Sequence, residues 1–164
     1  MGRSVRYTSN MRIAAGSDHA GFELKELLVS YLEAQGHEVA DLGTTNGVDS
    51  VDYPDFGAAV ARAVVSGDAD LGVCACGTGI GIAIAANKIP GARAAVIHDV
   101  TTAKLAREHN HANVVCLGGR TTGTATATDA LAAFLAATPE RGRHDKRIEK
   151  LRDLDGSSTK GDPQ

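Results

Sequence analysis

The sequence predicts an α/β protein built on a five-stranded parallel sheet with helices on both faces. Five short apolar runs, at residues 11–15, 39–42, 71–75, 93–97 and 114–117, have the length and residue type of buried strands, and a helical segment follows each of them. Strand and helix in strict alternation require right-handed crossovers, hence a parallel sheet covered on both sides. Composition agrees: hydrophobic residues make up 43% of the chain but aromatics only 4%, which suits thin, Ala- and Val-rich helices lying flat on a sheet. The expected architecture is a three-layer αβα, Rossmann-like fold. At 164 residues it forms one domain, residues 11–155, between polar tails at 1–10 and 156–164 that are expected to be disordered.

In chain order, the run at 11–15 ends at Gly16-Ser17-Asp18-His19-Ala20-Gly21. Leu24, Leu27, Leu28, Tyr31 and Leu32 then recur at the spacing of one buried helical face, and Gly36 is placed to end that helix. The run at 39–42 leads into a long polar loop, 43–54, carrying Asp49, Asp52 and Tyr53. Pro54 suits the first turn of a second helix, with Val60 and Val64 on one face and Gly67 as its stop. After the central segment, the run at 93–97 exits at His98-Asp99. A helix with Thr101 or Thr102 as cap carries Leu105 and ends at His109-Asn110. The last run precedes Gly118-Gly119-Arg120, and an Ala-rich helix ends near Ala137, before Pro139. A basic segment, 141–152, closes the domain.

The central segment, Asp70 to Asn87, reads DLGVCACGTGIGIAIAAN. A strand feeding a glycine-rich turn that opens a helix gathers backbone N–H groups at one point, and such a turn binds anions. Cys76 sits at its entrance, where the charged thiolate is the form that those groups stabilise. Cys76 is therefore a candidate catalytic thiol, with a buried structural cysteine as the alternative; Cys74, inside the apolar run, fits the structural description. Gly77, Gly79 and Gly81 lack the spacing of a dinucleotide fingerprint. A thiol phosphatase loop would need an arginine one turn after the cysteine, and the chain offers only Ile80 and Ile82 there.

The remaining composition excludes several classes. A net charge of −3 and the scarcity of aromatics argue against nucleic-acid binding. No long apolar run or signal-peptide core occurs, so a cytoplasmic protein without membrane contact is expected. Three cysteines, two of them in C-x-C, form neither a disulfide framework nor a zinc-type pattern.

Ligands of parallel α/β sheets bind outside the carboxyl ends of the strands. That rule gathers Asp18 and His19, Tyr53, the turn from Cys76 to Gly81, His98 and Asp99, and Arg120 toward one rim. His109 ends a helix and so belongs to the opposite rim, where a surface histidine favoured by the helix dipole is the plain reading. Arg143 and Arg147, four apart, share a helical face that suits either a phosphate or solvent.

Six motifs stand in order: Gly16-Ser17-Asp18-His19-Ala20-Gly21, Asp52-Tyr53-Pro54, Cys76-Gly77-Thr78-Gly79-Ile80-Gly81, Ala85-Ala86-Asn87-Lys88, Glu108-His109-Asn110 and Gly142-Arg143-His144. On these the chain resembles the type B ribose-5-phosphate isomerases, a family that includes galactose-6-phosphate and allose-6-phosphate isomerases. The resemblance implies an aldose–ketose isomerase that interconverts ribose 5-phosphate and ribulose 5-phosphate through a cis-enediol. It implies no metal and no cofactor, and a homodimer or dimer of dimers with shared sites. It makes Cys76 the base between C1 and C2, with Thr78 and the N–H groups of Gly77, Gly79 and Gly81 around the enediolate. Asp18 and His109 would open the sugar ring. His19, Arg120, Arg143 and Arg147 would hold the phosphate, and Asn87, Asn110 and Tyr53 the rest of the sugar. Some family members use a glutamate just past the cysteine position; this chain has none there, which leaves Cys76 as the base. His111 departs from the family pattern, and with His98 and Asp99 it leaves the choice of sugar open. Galactose 6-phosphate, allose 6-phosphate or a tetrose 4-phosphate is the alternative substrate, and a non-catalytic sugar-phosphate sensor is the alternative class.

Overall fold

The computed structural model describes residues 10–156, so the two tails expected to be disordered fall outside the described residues except for Asn10 and Gly156. Its elements run β1 (Arg12–Ser17), α1 (Phe22–Ala34), β2 (Glu38–Asp41), α2 (Tyr53–Ser66), β3 (Leu71–Cys76), α3 (Ile80–Ala86), β4 (Ala94–Val96), α4 (Val100–Asn110), β5 (Val114–Gly118), α5 (Thr124–Ala136) and α6 (Arg143–Asp155). The five strands form one parallel sheet in the order β2-β1-β3-β5-β4.

Side-chain alternation divides the core between the two faces of the sheet. Ile13, Leu71, Val73, Val115 and Leu117 pack with Leu24, Leu28 and Leu32 of α1, Ala103 and Ala106 of α4, and Leu131 and Phe134 of α5. Ala14, Cys74, Cys76, Val114 and Cys116 pack on the other face with Val60 of α2 and Ile82 and Ala83 of α3. Two faces buried under two helical layers are the expected three-layer fold. Close approach of α2 depends on Gly72, where a methyl group would lie 2.6 Å from Val60 Cγ1 and 3.1 Å from Val114 Cγ2. Gly72→Ala is therefore expected to cost about 1–3 kcal/mol by overpacking, read as a lower midpoint in urea unfolding with an unchanged slope.

Several local expectations are corrected. Thr101 and Thr102 do not cap α4: Asp99 is the N-cap, its Oδ1 accepting from the Thr102 N–H at 2.7 Å, and Thr102 closes the capping box from N3. Leu105 lies on α4 as expected, on its exposed side, since the helix turns Ala103 and Ala106 inward. On α1, Leu24, Leu28 and Leu32 are buried, while Leu27 and Tyr31 flank them. The apolar spacing did not reveal Lys25, which is buried with its ammonium paired to both Glu26 and Asp41. Burial alone would lower its pKa, but the hydrogen bonds to Asp41 and Glu26 outweigh it and raise it above the ordinary lysine value. Gly36 and Gly67 do end α1 and α2, with φ of +89° and +87° in the left-handed region.

Candidate active site

Strand register brings three exits together. Ser17 pairs with Ala75, and Cys76 with Gly118, so β1, β3 and β5 end side by side. The chain leaves β1 for β2 on one side and continues from β3 to the other. The β1–β3 boundary is thus the switch point at which such sheets open a crevice.

Cys76 is the last residue of β3 and only 4% exposed. Its Sγ accepts a hydrogen bond from the Gly79 N–H at 3.2 Å. Gly79 turns the chain in the left-handed region at φ +77°, and a methyl there would sit 2.9 Å from the Leu117 carbonyl carbon, so the turn can close on the thiol only with glycine. Thr78 is exposed beside it; its Oγ1 accepts the Ile80 N–H at 3.3 Å, which leaves the hydroxyl proton as a donor. The thiols of Cys74 and Cys116 are fully buried. Hydrogen bonding to Cys74, together with burial, holds the pKa of Cys116 well above the ordinary thiol range, so that sulfur stays protonated.

The other exits close around this turn. Gly21 packs against the backbone of Ala75 and Cys76, and its N–H donates to Oδ1 of the buried Asp18 at 3.0 Å. His19 Nδ1 accepts the Val51 N–H at 3.2 Å, tying down the long loop before α2. Tyr53 lies on Gly81, where a methyl would be 2.7 Å from the ring Cζ. The Arg120 N–H donates to the Gly77 carbonyl at 2.9 Å, and its guanidinium lies over the same glycine, 3.2 Å from where a methyl would be. Asp18, His19, Tyr53, the turn from Cys76 to Gly81 and Arg120 thus form one site. A parallel sheet whose switch point holds a thiol, backbone N–H donors and a guanidinium has the apparatus of an enzyme acting on a small anionic substrate.

The remaining sequence-predicted residues are not gathered around the thiol turn. His98 and Asp99 leave the edge strand β4, with β5 between it and β3. Asn87 spends its amide on β4, donating to the Ala94 carbonyl at 2.9 Å and accepting the Ala94 N–H at 2.8 Å. Asn110 lines a cavity of about 410 Å³ with Asn87, Arg93, Arg152 and Asp155. His111 takes a left-handed φ of 49° to cap α4, and its Nε2 lies 2.6 Å from the Glu140 carbonyl oxygen. His109 ends α4 just before β5 begins, one strand length, about 16 Å, from the rim that holds Cys76. Arg143 and Arg147 share a basic concavity on α6 with Lys146 and Lys150.

Two residues without an assigned role stand beside His109. The His109 and His144 rings stack with centroids 4.5 Å apart and planes 11° from parallel. Glu140 Oε2 lies 3.7 Å from His109 Nε2 and 3.3 Å from His144 Nε2. Burial, then the neighbouring His109 and Arg143 charges, hold the pKa of His144 below the ordinary histidine value, so its ring is neutral near pH 7. The four-residue spacing of Glu140 and His144 was the available signal, but it acquires meaning only when α6 returns to α4.

The ribose/galactose isomerase family matches residues 13–151. Ribose-5-phosphate isomerase B of Escherichia coli is 43% identical over 140 residues, which cover 85% of this chain and 93% of the relative. A galactose-6-phosphate isomerase subunit of Clostridium acetobutylicum is 44% identical over 140 residues, covering 85% of this chain and 80% of the relative. The solved structure of Clostridium thermocellum ribose-5-phosphate isomerase B superposes with a TM-score of 0.89 at 46% identity, over 91% of this chain and 100% of that one. The chain belongs to the ribose/galactose isomerase family, and with it to the aldose–ketose isomerases. No helix among the described residues is long and apolar enough to cross a membrane.

Proposed function

We propose that the protein interconverts ribose 5-phosphate and ribulose 5-phosphate, with Cys76 as the base. The observation that carries this reading is the Gly79 N–H on Cys76 Sγ at 3.2 Å, in a turn that also offers Thr78 and lies under Arg120. Once the ring is open, the Cys76 thiolate takes the C2 proton of the aldehyde and electrons shift onto O1. Backbone N–H groups of the turn and Thr78 stabilise the enediolate as it forms. Transfer of the hydroxyl proton from O2 to O1, and return of the Cys76 proton to C1, give the ketose. Asp18 and His109 share the preceding ring opening, with His109 donating to the ring oxygen.

His19, Arg120, Arg143 and Arg147 hold the phosphate in this reading, and Asn110 contacts the sugar. His109, Arg143 and Arg147 lie away from the Cys76 rim, so a complete site takes them from a second subunit, in a homodimer or a dimer of dimers. Ile80 and Ile84 support this: four apart on α3 beside the thiol turn, they are exposed apolar side chains with the character of an interface.

A coupled assay with ribose 5-phosphate, alongside galactose 6-phosphate, allose 6-phosphate and a tetrose 4-phosphate, tests the assignment. Ribose 5-phosphate is expected to have the highest kcat/KM. Preference for galactose 6-phosphate would move the chain toward the Clostridium acetobutylicum relative, and binding without turnover of any sugar phosphate would make it a sensor. Arg143→Ala is expected to raise KM about 10- to 100-fold, the worth of one charge-assisted hydrogen bond, with a smaller effect on kcat. Unphosphorylated ribose should be a poor substrate that is indifferent to this change. Ribose reacting as well as its phosphate would remove the phosphate-binding role.

A further inference from the structure

The His109, Glu140 and His144 cluster has no part in the reaction as described, apart from His109 itself. Its donor atoms all lie within 4.8 Å of one another, a spacing that invites a metal reading. Ring geometry argues otherwise. An imidazole binds a metal along a lone pair in its own plane, and two planes only 11° from parallel with centroids 4.5 Å apart do not converge on one ion. What parallel rings do well is stack.

Each part of the cluster is held before it meets His109. His144 is buried in the first turn of α6, and its Nε2 accepts from Arg143 Nε at 3.3 Å. Glu140 is pinned through both of its backbone groups: its N–H donates to the Glu108 carbonyl at 2.9 Å, and its carbonyl meets His111 Nε2 at 2.6 Å. His109 is half-buried at the end of a helix, where a side chain held by nothing else would sample several rotamers. Stacking fixes the plane of its ring but leaves two orientations, related by a flip that exchanges a nitrogen edge for a carbon edge. A carboxylate on one edge selects the flip that presents nitrogen to it.

We propose that Glu140 and His144 are positioning residues for His109: His144 sets the plane of the imidazole, and Glu140 selects the flip that delivers a proton to the sugar ring oxygen. This inference rests on the proposed role of His109 in ring opening. Its effect is confined to ring opening, because proton transfer at Cys76 involves neither residue.

The test separates the two steps with the two sugar phosphates. Ribose 5-phosphate is ring-closed, whereas ribulose 5-phosphate cannot form a furanose because its O5 is esterified. Turnover of ribose 5-phosphate therefore reads ring opening plus enolisation, and wash-in of deuterium at C1 of ribulose 5-phosphate in D₂O reads enolisation alone. His144→Ala is expected to lower kcat for ribose 5-phosphate about 10- to 100-fold, the order of cost of a misplaced catalytic group, while wash-in stays within about twofold of the wild type. His144→Phe, which keeps a flat neutral ring, is expected to recover most of the loss. Glu140→Ala, at a half-exposed site, is expected to cost about 10-fold in the same one-sided way, with Glu140→Gln recovering part of it. Parallel loss of turnover and wash-in, or no loss in either, overturns the inference. His109→Asn in the same pair of assays tests the underlying reading. If it spares ribose 5-phosphate turnover, the ring-opening role fails and the positioning role with it. If it alone is slow, only the positioning role fails.

Discussion

Cys76→Ala is expected to lower kcat for ribose 5-phosphate by about 10²- to 10⁴-fold, with a much smaller effect on binding of the substrate. The size follows from what the thiol does in the proposed reaction. It is the only titratable side chain in the turn from Cys76 to Gly81, so its loss leaves the turn with donors but no base. A single turnover experiment with tritium or deuterium at C2 would show the loss in proton transfer itself. Iodoacetamide is expected to inactivate through Cys76, because Cys74 and Cys116 are fully buried, and a sugar phosphate in the crevice should protect. Near wild-type turnover by Cys76→Ala would refute the mechanism.

Mixing two inactive variants is expected to restore about a quarter of wild-type activity. Cys76→Ala and His109→Asn are each inactive on a ring-closed substrate in the proposed mechanism. If every site takes its cysteine from one chain and its histidine from the partner, a mixed dimer has one intact and one doubly damaged site. Random refolding makes about half of the dimers mixed, and half of their sites are whole, which gives the quarter. The fold supplies the motive. Cys76 ends β3 beside the end of β5, whereas His109 precedes the beginning of β5, so one chain holds them at opposite rims of its sheet. Zero recovery from demonstrated mixed dimers would mean that His109 reaches Cys76 within its own subunit.

Asp18, Tyr53, Cys76 and Arg120 could be gathered from the sequence because one rule about parallel sheets puts the residues after each strand on a common rim. The rule does not say which strands are neighbours. His98 and Asp99 follow a strand just as Arg120 does, yet β4 lies at the sheet edge and β5 next to β3, and Asp99 is consumed in capping α4. Asn87 reads as a polar residue near the site, and its amide nitrogen and oxygen each bond the backbone of Ala94, which ties it to β4. Short-range patterns report what a residue could do; competition among neighbours decides what it does.

By itself the sequence determined the alternation of strand and helix, the glycine stops of α1 and α2, the thiol turn, and the family. All of these depend on contacts between residues close in the chain, or on one face of a periodic element, and both are written in spacing. Only the tertiary structure decided the sheet order, the burial of Lys25 among carboxylates, and the stacking of His144 on His109 beside Glu140. Those arise where segments far apart in sequence are brought together by packing of the whole chain, and no local period encodes which distant neighbour a side chain will meet.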